Sequence, residues 1–270
     1  MWLIDDPIFV AELERSRAKL LASVAEGEFT FFRTYGNIGD RLINAGARQL
    51  FAGMKYTERD IREGCSCTGD LAVVCGGGGW CSEWHDMPQL VRSIENRFTR
   101  VIVFPSSFDP RNPDVLSWLK ATHCQLFVRE RVSFDAISAF CNPILALDTA
   151  FFFDYKPWTY DLRHPSILLS YRTDIEKRIR FLPEGNQDIS IIASDFDHWL
   201  HSIARHSTIW TDRAHVMIAA AMMGKSVLYC ESKYHKLRGI AEYALGDYVD
   251  YWDPDEVSFN QSQNEDVYGK

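Results

Sequence analysis

The stretch "FTFFRTYGNIGDRLINAGARQLFAG", Phe29 to Gly53, holds the unit from which the rest of the chain can be read. Phe29–Arg33 is a short aromatic run with strand character. Gly36 and Gly39 loosen a turn around Asn37 and Asp40. Leu42, Ile43, Ala47 and Leu50 then fall on one helical face, and Gly53 ends it. This strand–turn–helix unit recurs. "LAVVC" runs into "GGGGW" and a helix carrying Leu90, Val91 and Ile94. "RVIVFPSS" is followed by "PDVLSWLKAT", "CQLFVRE" by "VSFDAISAF", and "PILALDTAFFF" closes the series. Apolar, non-alternating strands separated by helices predict a parallel sheet covered on both faces.

Upstream, "DDPIFVAELERSRAKLLASVAEGE" predicts an opening helix, capped by Asp6, with Pro7 in its first turn and Gly27 at its end. Downstream, "DYKPWTYDLRHP" has two prolines and no period, and reads as a linker. A second alternation follows. "SILLSYR" and "ISIIAS" read as strands before a helix with Trp199 and Leu200; then come "STIWT", the helix "AHVMIAAAMMG", the strand "SVLYC" and the helix "LRGIAEYAL". The polar end "NQSQNEDVYGK" reads as frayed. The expected architecture is α/β. An N-terminal Rossmann-like half spans 1–155, a linker 156–165, and a second Rossmann-like half 166–270, with a cleft between them.

The 270 residues carry 29 basic and 37 acidic side chains, a formal charge of -8, which argues against a nucleic-acid partner. No apolar run reaches the length of about 18 residues that spans a bilayer. "MWLIDDP" lacks the charge pattern of a signal peptide, so a cytosolic protein is expected. Seven cysteines fit a reducing compartment rather than a disulfide framework. Cys65, Cys67, Cys75 and Cys81 cluster without a CxxC knuckle, and His198 and His201 lack further ligands, so no metal is expected.

In open parallel sheets, ligands sit beyond the carboxyl ends of strands. Several chemistry-bearing stretches lie there. In "YGNIGD", Asn37, Gly39 and Asp40 suit either a capped helix start or a cavity wall. "GGGGW", with Gly77 and Gly78, suits a backbone cradle for an anion, but no Lys-Ser/Thr pair follows to make it a Walker loop. "FPSS" offers Ser106, and "VRER" puts Arg129 at a strand tip. In "WTDRAHVMIAAAMMG", Asp212 is expected to cap a helix whose first turn holds Arg213 and His215. Cations there oppose the helix dipole, which makes sense if an anion shares the site. "SKYHKLRG" supplies Lys236 after the next strand.

Together these stretches resemble the polysaccharide pyruvyl transferase family. The matching segments are Gly36-Asn37-Ile38-Gly39-Asp40, Gly76 to Gly79, Arg129-Glu130-Arg131-Val132-Ser133, Asp148-Thr149-Ala150 and Thr211-Asp212-Arg213-Ala214-His215. Thr211 stands where Ser is usual and Val216 where Gly is common. The resemblance implies a GT-B-like fold, phosphoenolpyruvate as donor substrate with no cofactor, and a sugar acceptor. That acceptor would belong to a surface polysaccharide or its lipid-linked precursor; in the latter case the protein works at the inner face of the membrane. It sets no oligomeric state. A nucleotide-sugar glycosyltransferase and a silent glycan-binding homologue are the alternatives.

The implied reaction needs an acid for the methylene carbon, a base for the sugar hydroxyl, and cations for carboxylate and phosphate. Arg213 and Arg129 suit the anions. His215 and Asp40 suit the proton transfers, in either order, and Arg213 completes the catalytic set. Asn37, Gly39, Gly77, Gly78, Ser106 and Lys236 are the expected binding residues.

Overall fold

The computed structural model describes residues 3–25, 27–84, 86–159 and 165–254. The polar C-terminal stretch and residues 160–164 of the expected linker lie outside them. Two parallel sheets, of seven and four strands, account for the described strands.

The first sheet is built from β1 (Phe29–Arg33), β2 (Tyr56–Asp60), β3 (Gly69–Val74), β4 (Gly77–Trp80), β5 (Phe98–Phe108), β6 (Gln125–Val128) and β7 (Ile144–Leu145). Its helices are α1 (Pro7–Val24), α2 (Arg41–Leu50), α3 (Met87–Glu95), α4 (Pro113–Leu119) and α5 (Arg131–Ile137). Asp6 caps α1 as its sequence predicts, accepting from Ile8 N at 2.8 Å. The order is β2-β1-β3-β5-β6-β7, with β4 beside the end of β5. β2 lies on one side of β1 and β3 on the other, so the chain changes direction across the sheet at β1. Such a switch point opens a crevice at the strand ends. The Gly36–Asp40 turn leaves β1 there, and the glycine run leaves β3.

Two features differ from expectation in this half. "YTERD" is a strand, although its residues are polar. Among the described residues it pairs only with β1, and its alternate side chains are exposed, so an edge position explains the composition. "GGGW" is itself strand β4, with Gly77 opposite Ser106 and Trp80 opposite Phe108, rather than a loop leading into a helix.

The second sheet holds β8 (Ile167–Ser170), β9 (Thr208–Thr211), β10 (Ser226–Tyr229) and β11 (Asp250–Tyr251), in the order β11-β10-β9-β8. Its helices are α6 (Ile189–Ile192), α7 (Phe196–Ala204), α8 (Ala214–Met222) and α9 (Lys236–Ile240). "ISIIAS" is therefore a correction: it forms one helical turn, α6. Asp188 O accepts from Ile191 N and Ile192 N, and both isoleucine side chains stay exposed instead of entering a sheet.

Every residue of α8 is buried. A helix apolar on all sides must be covered on all sides. Val216, Met217, Ile218 and Ala219–Ala221 share one apolar cluster with Trp199, Leu200 and Ile209 of the second half. Leu3, Phe9, Leu42, Leu147 and Phe151, from the first half, belong to the same cluster. The N-terminus of α8, carrying His215, is thereby fixed against the Ile38–Asp40 turn. No helix among the described residues is long and apolar enough to cross a membrane.

Candidate active site

A cavity of about 760 Å³ lies at the carboxyl ends of the strands, lined from both sheets. Asn37, Asp40, Gly77, Gly78, Arg129, Arg213, His215 and Lys236 all line it. Gly39 and Ser106 do not. Gly39 is buried behind the wall, where a Cβ would come within 3.5 Å of His215 Cβ and 3.0 Å of Asn37 Oδ1. Ser106 is fully buried and donates its hydroxyl to Phe104 O within its own strand. Ser107, its neighbour, instead accepts from Arg129 Nε at 2.8 Å.

Asp40 divides its carboxylate between two tasks. Oδ2 accepts from Asn37 N at 2.9 Å, closing a capping box around the Ile38–Asp40 turn. Oδ1 lies 3.2 Å from His215 Nδ1. His215 Nε2 lies 3.9 Å from Asp148 Oδ2, beyond hydrogen-bond range, and has no hydrogen-bond partner among the described residues. Burial disfavours the charged imidazole, but the carboxylates of Asp148 and Asp40 outweigh it, and the His215 pKa rises above the ordinary value. Burial pushes Asp40 up, yet His215 and Lys236 outweigh it and hold Asp40 below the usual carboxylate range. Asp148 follows the same logic: burial is outweighed by His215 and Arg129, and its pKa falls to about 2. These shifts favour the charged forms, an imidazolium beside two carboxylates.

The cations come in pairs with acids. Arg129, at the tip of β6 and 1 % exposed, donates to Asp148 Oδ2 at 2.7 Å. Arg213 grips Asp188 through Nε and Nη2, and its Nη1 lies 2.8 Å from Asp174 Oδ2. Lys236 Nζ donates to Glu176 Oε2 at 2.6 Å, and Arg172 shares that oxygen. Burial, with the charge of Arg172, lowers the Lys236 pKa despite Glu176. Gly78 permits this crowding: a Cβ there would stand 3.0 Å from Arg129 Nη2 and 3.2 Å from Lys236 Nζ. Gly77, at φ +147°, occupies a conformation that side chains avoid.

Asp212 does not cap α8. Its Oδ1 accepts from Arg172 N at 2.7 Å, because the end of β8 needs an acceptor at that point. Arg213 holds the cap position, with its N–H on Thr211 Oγ1 at 3.0 Å. Burial raises the Asp212 pKa to about 6, and its Oδ2 has no hydrogen-bond partner among the described residues.

A sequence model of polysaccharide pyruvyl transferases covers residues 37–234. The chain belongs to the polysaccharide pyruvyl transferase family. A solved structure, an uncharacterised protein from Klebsiella pneumoniae subsp. pneumoniae, is similar in fold, with a TM-score of 0.73 and 20% identity. That match covers 90% of this chain and 98% of the other. No curated protein matches the chain.

Several cavity residues escape a motif reading: Arg172, Asp174 and Glu176 after β8, and Tyr35, Arg62 and Trp84 on the first-half side. Arg172 had a usable signal, since it follows an apolar strand as Arg129 does. Asp174, Glu176 and Asp188 had none, because their role depends on which cations they meet. Among the described residues, no group of three or more His, Cys, Asp or Glu could hold a metal.

Proposed function

We propose that this family member moves pyruvate from phosphoenolpyruvate onto a sugar as a ketal. The observation that carries this reading is the His215–Asp40 pair, 3.2 Å apart, in one cavity with Arg129, Arg213 and Lys236. Those cations suit the donor's carboxylate and phosphate, and the acids behind them hold them in orientation before the donor arrives.

The pKa directions separate the proton-transfer roles. His215, held charged, is the acid that protonates the methylene carbon, leaving cationic character at C2. A sugar hydroxyl attacks C2, forming a C–O bond, and its proton passes to Asp40. From Asp40 the proton can return to His215 Nδ1, so the pair carries one proton from hydroxyl to methylene carbon. The C2–O bond to phosphate then breaks, and phosphate leaves among Arg129, Arg213 and Lys236. A second hydroxyl of the same sugar closes the ketal, and its proton leaves with phosphate.

A GT-B-like arrangement goes with this reading. Units 1–155 and 166–270, joined by 156–165, would each present strand ends to a shared cleft, with donor cations from both. A cytosolic location follows from the donor, and a lipid-linked acceptor would bring the protein to the membrane face.

The test is release of inorganic phosphate from phosphoenolpyruvate across a panel of oligosaccharide and lipid-linked acceptors, with product mass analysis. A gain of one pyruvate less water is expected. A product heavier by one hexose, made only from a nucleotide sugar, would overturn the reading.

A further inference from the structure

Away from the buried ion pairs, the cavity wall changes character. Tyr35 is 42 % exposed and Trp84 44 % exposed, and both line the cavity that holds Asp40 and His215. Each ring is held by its polar edge. Tyr35 Oη donates to Asp86 Oδ2 at 2.6 Å, and Trp84 Nε1 donates to Glu176 Oε1 at 2.6 Å. Glu176 is buried, and its other oxygen takes Lys236 and Arg172. One carboxylate therefore fixes both a donor-side cation pair and an exposed indole. Large aromatic rings usually bury their area; rings pinned in place yet left open offer a rigid apolar surface to a ligand.

The charge on this wall is acidic. Glu83 and Asp86 line it beside the rings. The cation here, Arg62, is paired with Asp60, which takes its Nε and Nη2 at 2.7 and 2.8 Å, and its guanidinium lies 5.0 Å from the Tyr35 ring centroid. A phosphate or diphosphate brought here would meet two carboxylates, Glu83 and Asp86, against the one guanidinium of Arg62. A pyranose would meet what it needs. Its C–H face suits the rings, and its hydroxyls suit carboxylate acceptors.

Resting on the proposed pyruvyl transfer, we infer that Trp84 and Tyr35 form the acceptor subsite, and that it takes the uncharged end of a glycan rather than a phosphate-bearing sugar. The acceptor ring lies against the aromatic faces with a hydroxyl toward Asp40. Any lipid diphosphate belongs outside this wall. Glu176 is a positioning residue, holding the Trp84 ring edge from the second half of the chain.

The experiment uses the full chain and saturation-transfer NMR with methyl glucoside, galactoside and mannoside, alongside the matching hexose 1-phosphates. Sugar phosphates count only through signal lost in Trp84→Ala, so that binding among the arginines is not scored. At least one methyl glycoside should saturate. Its affinity should fall about tenfold or more in Trp84→Ala and in Tyr35→Ala, and less in Trp84→Phe, which keeps a ring. Calorimetric phosphoenolpyruvate affinity in the same variants should move less than about threefold. Circular dichroism confirms that each variant is folded, and Trp84→Phe serves if Trp84→Ala is not. The inference is overturned if no methyl glycoside binds, if Trp84→Ala and Tyr35→Ala bind as the wild type does, or if a sugar phosphate binds this wall as tightly as its neutral counterpart. Should the wild type bind glycoside but no phosphoenolpyruvate, the donor reading fails while the sugar subsite stands.

Discussion

Asp40 and Asp212 occupy matching places in the two halves. Each follows a parallel strand and precedes a helix, and each reads in sequence as a helix cap. The structure gives them opposite chemistry. Asp40 Oδ2 caps a turn while Oδ1 faces His215 at 3.2 Å, and its pKa falls. Asp212 is fully buried, bonds one backbone N–H, leaves Oδ2 unpartnered among the described residues, and its pKa rises to about 6. Position along the chain is the same, so the difference comes from what the other half brings. Asp40 meets a cation across the cavity, whereas Asp212 meets mainly low-dielectric protein.

The hardest test of that contrast is the cation itself. His215→Gln removes the charge opposite Asp40 and the acid of the proposed reaction. Phosphate release should fall by about 10²–10⁴, the usual worth of general acid–base catalysis. Turnover within a few-fold of wild type would break the assignment. The pH dependence sharpens it. His215 has a raised folded pKa, so its stabilising contribution is complete below the ordinary imidazole value and is lost as pH rises through the folded one. Asp40 has a lowered folded pKa, so its contribution holds above the ordinary carboxylate value and is lost as pH falls through the folded one. The pair is strongest between these limits, and turnover should decline on the alkaline side as the imidazolium deprotonates. In Asp40→Asn the Oδ that accepts from Asn37 N can remain while the charge goes, and the alkaline limb should move to lower pH. A pH–rate profile superimposable on the wild type would show that Asp40 does not hold the His215 proton.

Arg213 tests the second turn through stability. It is 4 % exposed and grips Asp188, which is 3 % exposed. Arg213→Ala would strand a buried carboxylate, a loss of about 3–5 kcal/mol. Its burial makes Arg213 a structural residue as well as a candidate ligand of the donor. Urea unfolding measures this directly, and a midpoint unchanged from wild type would mean that the Asp188 pair is not holding the turn. Loss of activity in Arg213→Ala must therefore be read beside its stability, and Arg213→Lys, which keeps a cation for Asp188, is the cleaner probe of donor binding.

What could be read from sequence follows the same division. Strand tips and glycine turns are local signals, so "YGNIGD", "GGGG", "VRE" and "TDRAH" could all be located from one chain. The parallel sheets were legible because buried strands are apolar without alternation. β2 was not, because an edge strand can carry polar Thr57 and Arg59 on an exposed face. α6 was misread because "ISII" is rich in β-branched isoleucine, and nothing in those letters shows that Ile191 and Ile192 stay exposed. The ion-pair partners Asp174, Glu176 and Asp188 were invisible for a deeper reason. Sequence shows that a carboxylate exists, and only the fold shows which guanidinium it meets.

The smallest expected effect falls on Asp212. Its raised pKa means that the folded chain binds a proton more tightly than the unfolded chain does. Between about pH 4 and pH 6 the folded state therefore holds more protons, and stability falls as pH rises through that window. The ceiling on this fall is about 3 kcal/mol, from the span between the ordinary value and about 6. Asp212→Asn keeps an oxygen for Arg172 N and removes the charge, so its stability should lack that fall. Urea unfolding at several pH values across the window compares the two directly. Parallel curves would mean that Arg172 and Arg213 neutralise Asp212 as His215 neutralises Asp40, and the two aspartates would then differ in geometry alone.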